Sequence, residues 1–278
     1  FHRFYRLFLL RLFHEGLEDM YLGGGHEKAA ESRVSLLIEE LSEKAGSAEE
    51  SDKLWLQKAV VMGMLCGYAK RWLASDKKRW KVLSAEREFS FPITDNVDYK
   101  GKMDLMVKDL KTRETLLVEH KTAAVIDAGY VARLPLDTQI LGYAVASKKI
   151  GKAVDGVVYN VARKSYLKLK GSESFEQFTR RVRDDYLLNP EKYFYREKLL
   201  FSEADLGRFE SELRRMTVEI DRAHKEGYFY RNTSHCTARG ICPYLKVCVG
   251  GETRDNMALY RIKERAHEEL GKEDGDER

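Results

Sequence analysis

The chain has 278 residues, enough for one large α/β domain or for one domain with an appendage. Apolar residues make up 43% and charged residues 34%, with only 4 prolines, which points to a globular, helix-rich chain rather than a disordered one. A net charge of +4 permits contact with polyanions without establishing it, and no apolar run is long enough to cross a bilayer, so the expectation is a soluble, cytoplasmic protein without a secretion signal.

From Phe1 to Met20, aromatics and leucines recur at helical spacing among arginines, which predicts an amphipathic helix. The glycine run of LGGGHEKAAESRV leads into a second helix with His26 in its first turn. Residues 41–53 are polar and turn-rich, and LWLQKAVVMGMLCGYAKRWLA is again helical. The texture changes at Glu86: EREFSFPI, GKMDLMV and TLLVEHKT read as three strands, with KDLKTRE as a hairpin connection between the last two. PLDTQILGYAVASKKIG reads as a helix with Asp137 as its N-cap and Gly151 as its stop. GVVYNVAR and SYLKLKG look like another strand pair, residues 172–226 return to charged helices, and the tail GKEDGDER is expected to fray. The expected organisation is one domain over 1–278: a helical part to residue 80, a sheet core over 81–170, and a helical, cysteine-bearing part from 171.

Glu119 and Lys121 lie two apart at the end of an apolar strand, so alternation puts both on one face. A hairpin would bring Asp104, isolated among apolar residues, beside Glu119. Two adjacent carboxylates repel unless a cation sits between them, and oxygen ligands of this kind suit Mg²⁺ or Mn²⁺. The main-chain carbonyl of His120 would be a further ligand, and Lys121 would hold a water or a phosphate oxygen beside the metal. The alternative is a surface hairpin with a cross-strand ion pair. Around it, His26 is a nitrogen ligand or an ordinary capping histidine, and Glu86 an accessory group or a solvated strand-start residue. Gln139 and Tyr143 share a helix face, either as part of a site or as a solvated glutamine and a core tyrosine.

The order GGGHEK, GKMDLMV, VEHKTA, DTQILGY resembles the RecB-like branch of the PD-(D/E)XK nuclease superfamily, over a span from about His26 to Cys248. The resemblance implies an α/β fold with a mixed central β-sheet flanked by helices, a restriction-endonuclease-like core. It implies Mg²⁺ or Mn²⁺ held by His26, Asp104 and Glu119, with Lys121 catalytic and Gln139 and Tyr143 positioning DNA. The implied activity is an exonuclease on DNA ends in recombination, repair or phage DNA processing, with a helicase or recombinase as partner. An inactive DNA-binding or scaffolding module and a sequence-specific restriction endonuclease are the competing readings.

Cys236, Cys242 and Cys248 have five residues between neighbours, a clustering that favours metal over disulfides in such a chain. Zinc would take a fourth ligand such as His235 or a distant cysteine, and an iron–sulfur cluster four thiolates. The resemblance favours a [4Fe–4S] cluster, because CRISPR-associated single-strand exonucleases and AddB-type helicase–nucleases close their fold with one, using three C-terminal cysteines and one upstream. This chain departs from that pattern: the first pair is more widely spaced, and Cys66 follows His26 instead of preceding it. Cys66 is either the fourth ligand or a small buried hydrophobe. The chain starts with Phe1 rather than Met, which leaves room for a fourth ligand further upstream.

Overall fold

The computed structural model describes residues 2–22, 27–43, 47–238 and 240–260. Three helices come first: α1 (His2–Leu22), α2 (Glu27–Glu43) and α3 (Ala48–Tyr68). Ser47 caps α3, accepting from Glu50 N, and two glutamates in the first turn complement the helix dipole. A wide turn at Ala69–Leu73 joins α3 to α4 (Ala74–Arg79). The segment expected to be turn-rich over 41–53 is therefore mostly helical, with α2 running to Glu43 and α3 starting at Ala48.

Strands β1 (Trp80–Thr94), β2 (Val97–Asp109) and β3 (Thr115–Ala123) follow, then the short helix α5 (Ala128–Ala132) and α6 (Thr138–Lys149). Asp137 caps α6 by accepting from Gln139 N and Ile140 N, and Gly151 ends the connection at φ +70°, where only glycine is unstrained. Strand β4 (Gly156–Arg163) is buried along nearly its whole length. Then come α7 (Phe175–Leu188), with a Ser174–Gln177 capping box, α8 (Pro190–Tyr193), β5 (Phe194–Leu199) and α9 (Glu203–Glu226), and two short helices, α10 (Leu245–Gly250) and α11 (Arg254–Met257). No described helix is long and apolar enough to cross a membrane.

The five strands form one mixed sheet in the order β1-β2-β3-β4-β5. β2 and β3 are antiparallel, β3 and β4 parallel, β4 and β5 antiparallel. One expected strand is absent: SYLKLKG has no ladder partner, because β5 already occupies the free edge of β4. Its Leu167 packs on the helical core while Tyr166 is exposed. The chain divides into two compact units, residues 1–91 with 100–210, and residues 92–99 with 211–278.

Within the first unit, Phe13, Leu17 and Met20 of α1, Val34 and Ile38 of α2, and Met64 and Leu65 of α3 bury together with Phe178, Val182 and Tyr186 of α7. Glycines let α3 and α7 approach closely. A Cβ at Gly63 would stand 2.8 Å from Tyr186 and 2.9 Å from Val182. Gly63→Ala is therefore expected to cost about 1–3 kcal/mol by overpacking, read as a fall in the urea midpoint at unchanged slope.

Candidate active site

The antiparallel register pairs Leu105 with Val118, and Asp104 and Glu119 come next on their strands. Alternation along β3 sends Glu119 and Lys121 toward α6, while His120 between them turns toward α1 and α3, its ring 6.1 Å from Tyr21 and 5.7 Å from Tyr68. The Lys121 ammonium contacts Glu119 Oε1 and donates to Gln139 Oε1 at 2.7 Å. Gln139 in turn donates to the Tyr143 hydroxyl at 2.7 Å. The structure thus joins Glu119, Lys121, Gln139 and Tyr143 in one chain of contacts. In it Gln139 accepts from the lysine and donates to the tyrosine, so it is not a solvated side chain.

Asp104 is reached from two sides. The His120 main-chain N–H donates to its Oδ2 at 2.8 Å, and His14 Nδ1 lies 3.5 Å from its Oδ1. His26, the histidine singled out in the sequence, lies outside the described residues, and the histidine placed at Asp104 is His14 of α1. The available signal was positional: His14, Leu17, Glu18 and Tyr21 form one stripe of α1, and all four line a single small cavity with Glu86, Asp104 and His120. Glu86 is drawn in as well. Its backbone is left-handed at φ +46°, costly for a glutamate, and its carboxylate pairs with Lys102 at 2.5 Å.

The electrostatics follow from burial and neighbours. Burial, then repulsion from Asp104, hold the Glu119 carboxyl above the usual range even with Lys121 in contact. Burial alone would also raise Asp104, but the charge and hydrogen bond of His14, with help from His120 and Lys121, outweigh it and hold Asp104 low. The same contact raises His14 against its own burial. The His120 ring is pushed down to about 3 by its burial, which outweighs the opposing charge of Asp104.

The residues present fit a divalent cation. His14, Glu86 and Asp104 offer ligand atoms within 4.8 Å of one another, the one such set of three among the described residues. Glu119 Oε2 and His14 Nε2 are buried without a hydrogen-bond partner among the described residues, and buried lone pairs of this kind are costly unless something is held there.

The cysteines do not make a comparable set. Cys66 is buried on α3, Cys236 and Cys242 are half-buried and Cys248 is exposed. The Cys242 N–H donates to Cys236 O at 2.8 Å, closing a turn, and Cys248 follows on α10. Three thiols in this segment are one short of the four that a cluster or a structural zinc takes. His235, the neighbour of Cys236, has its Nδ1 3.1 Å from Ser234 Oγ.

A sequence profile of the PD-(D/E)XK nuclease superfamily matches residues 11–249. No curated protein matches the chain. Among solved structures, one described as "Crystal structure of SSO0001" is 14% identical, with a TM-score of 0.27 over 56% of this chain and 70% of that one. The profile match runs from α1 through the whole sheet to α10, and the mixed five-stranded sheet between helices is the α/β core that such a match requires. The chain belongs to the PD-(D/E)XK nuclease superfamily.

Proposed function

We propose that the protein is a metal-dependent deoxyribonuclease that hydrolyses phosphodiester bonds at DNA ends, as an exonuclease of recombination, repair or phage DNA processing. One observation carries this reading: Asp104 and Glu119 follow each other on adjacent strands with His14 on one side and the Lys121 ammonium on the other, all buried or half-buried. In this reading Asp104, Glu119, His14 and the His120 carbonyl hold a Mg²⁺ or Mn²⁺ ion. Such an ion, when bound, polarises the phosphoryl oxygen and lowers the pKa of a coordinated water. The protein's own part is positional. Lys121, held by Gln139, presents its N–H groups where negative charge develops on the phosphoryl oxygens. Gln139 is in turn held by Tyr143, so the helix after the site sets the lysine's reach. Basic side chains hold the strand by its phosphates without reading sequence. Cys236, Cys242 and Cys248 are proposed to bind a structural metal, an iron–sulfur cluster in preference to zinc. Iron and zinc analysis of anaerobically purified protein decides: stoichiometric zinc without visible absorption would reverse the preference.

The test of the activity uses single- and double-stranded DNA labelled at either end, with Mn²⁺, Mg²⁺ or chelator. Metal-dependent release of short products from one end is expected. Wild-type protein that binds DNA and manganese yet leaves every substrate intact would overturn the proposal in favour of a scaffold.

A further inference from the structure

The cleavage chemistry above uses only the main chain of His120, yet the surroundings of its buried ring fix where its proton sits. Arg196 has N–H donors and no acceptor, and its Nε donates to Asn160 Oδ1. This fixes the amide of Asn160, since the flipped orientation would set an NH₂ group against the guanidinium. The amide nitrogen then lies 3.2 Å from the Tyr68 hydroxyl and 3.4 Å from His120 Nδ1. Nδ1 faces a donor and must accept, so the ring carries its single proton on Nε2.

That N–H has no hydrogen-bond partner among the described residues, and the residue is only 3% exposed. A buried donor is seldom left unmade. The ring lines a cavity of about 10 Å³ together with His14, Glu86 and Asp104, room for about one water molecule. Three carboxylates on its wall, those of Glu18, Glu86 and Asp104, disfavour a phosphate oxygen. A water suits it: its oxygen accepts from His120 Nε2–H, and its own protons face Asp104 or Glu86 on the same wall.

We propose that His120 is a positioning residue, locked as the Nε2–H tautomer by Arg196 through Asn160, which holds the water that attacks the phosphodiester. This rests on the nuclease reading. The network behind it is deep: Arg196 is bound by both oxygens of Asp76, at 2.7 and 2.8 Å, and Tyr21 donates to Asp76 Oδ2 at 2.7 Å. The proton's position is thereby tied to residues far from β3 in sequence.

Long-range ¹H–¹⁵N spectra of the full, metal-free chain should show His120 protonated on Nε2 and bare on Nδ1. Asn160→Asp should reverse this, because the new carboxylate keeps one oxygen for Arg196 and turns the other to Nδ1, which must then donate. On end-labelled DNA, Asn160→Asp and His120→Phe should lower kcat by about 10²-fold, the cost of a misplaced reacting group, with KM for DNA unchanged. His120→Gln, whose amide brings an N–H close to the Nε2 position, should recover part of the loss. A wild-type ring protonated on Nδ1, or a folded His120→Phe with wild-type kcat, overturns the proposal. If Asn160→Asp does not fold, the wild-type spectrum and the Phe and Gln variants decide it. Wild-type protein that cuts no DNA sinks the nuclease reading too, whereas active wild type with an indifferent His120→Phe sinks this proposal alone.

Discussion

Replacing Asp104 by asparagine is expected to lower cleavage by at least about 10³-fold while leaving the metal-free protein close to wild-type stability. A bound cation contributes several kcal/mol of transition-state charge stabilisation, and each ~1.4 kcal/mol is tenfold in rate. Asparagine keeps an oxygen for the His120 N–H, now 2.8 Å from Asp104 Oδ2, so the strand pairing is undisturbed. Two charge effects oppose each other: the pair with His14 is lost, and the repulsion that helps to hold Glu119 high is relieved. A second readout separates metal binding from chemistry. Manganese at about 100 times its Kd should stabilise the wild type by about 2.7 kcal/mol through mass action, seen as a higher Tm, and Asp104→Asn should lose most of that gain. A variant that still cuts DNA and still responds to manganese would remove Asp104 from the site.

The largest effect on stability is expected from Asp76→Ala. Asp76 binds the Arg196 guanidinium with both carboxylate oxygens, and their side chains are 4% and 14% exposed. Removing the carboxylate leaves an arginine enclosed without a counter-charge and strips the Tyr21 hydroxyl of its acceptor. Breaking a buried pair in this way costs about 3–5 kcal/mol, a fall in Tm on the order of 10 °C for a chain of this size. Adding Arg196→Met should restore part of it, because the double variant buries no uncompensated charge. A loss below ~1 kcal/mol for Asp76→Ala would show that water replaces the carboxylate. The stacking of Arg196 over Trp72, 4.2 Å from the ring, argues against such access.

Local pattern carried much of the architecture. The periodicity of the N-terminal helices, the alternation of β1 to β3, the run of β4 and the Asp137 cap of α6 are all set by neighbours within a few residues, and the structure has them. What depends on partners was hidden. SYLKLKG alternates as well as many strands do, but a strand exists only where a ladder accepts it, and β5, only six residues long, has that place. The site divides along the same line. Asp104, Glu119 and Lys121 stand out as charges at the ends of apolar strands, and Gln139 and Tyr143 share a helix turn. Nothing in linear order says that α1 brings His14 to Asp104. Nor does it show that a left-handed backbone turns Glu86 toward them, or that Arg196 meets a carboxylate 120 residues earlier.

The pairing of β3 has a consequence for how the protein tolerates change. β3 is matched residue for residue with β4 from Leu116 to Ala123, so its frame is fixed from both flanks. One residue gained or lost in the tight connection 110–114 would turn the strand over. The imidazole would then point where the acid and amine belong, and both environments would be ruined in one stroke. Length variation among relatives should therefore be absent from this connection and collect in other turns, and single-codon insertions scanned across it should score as null alleles.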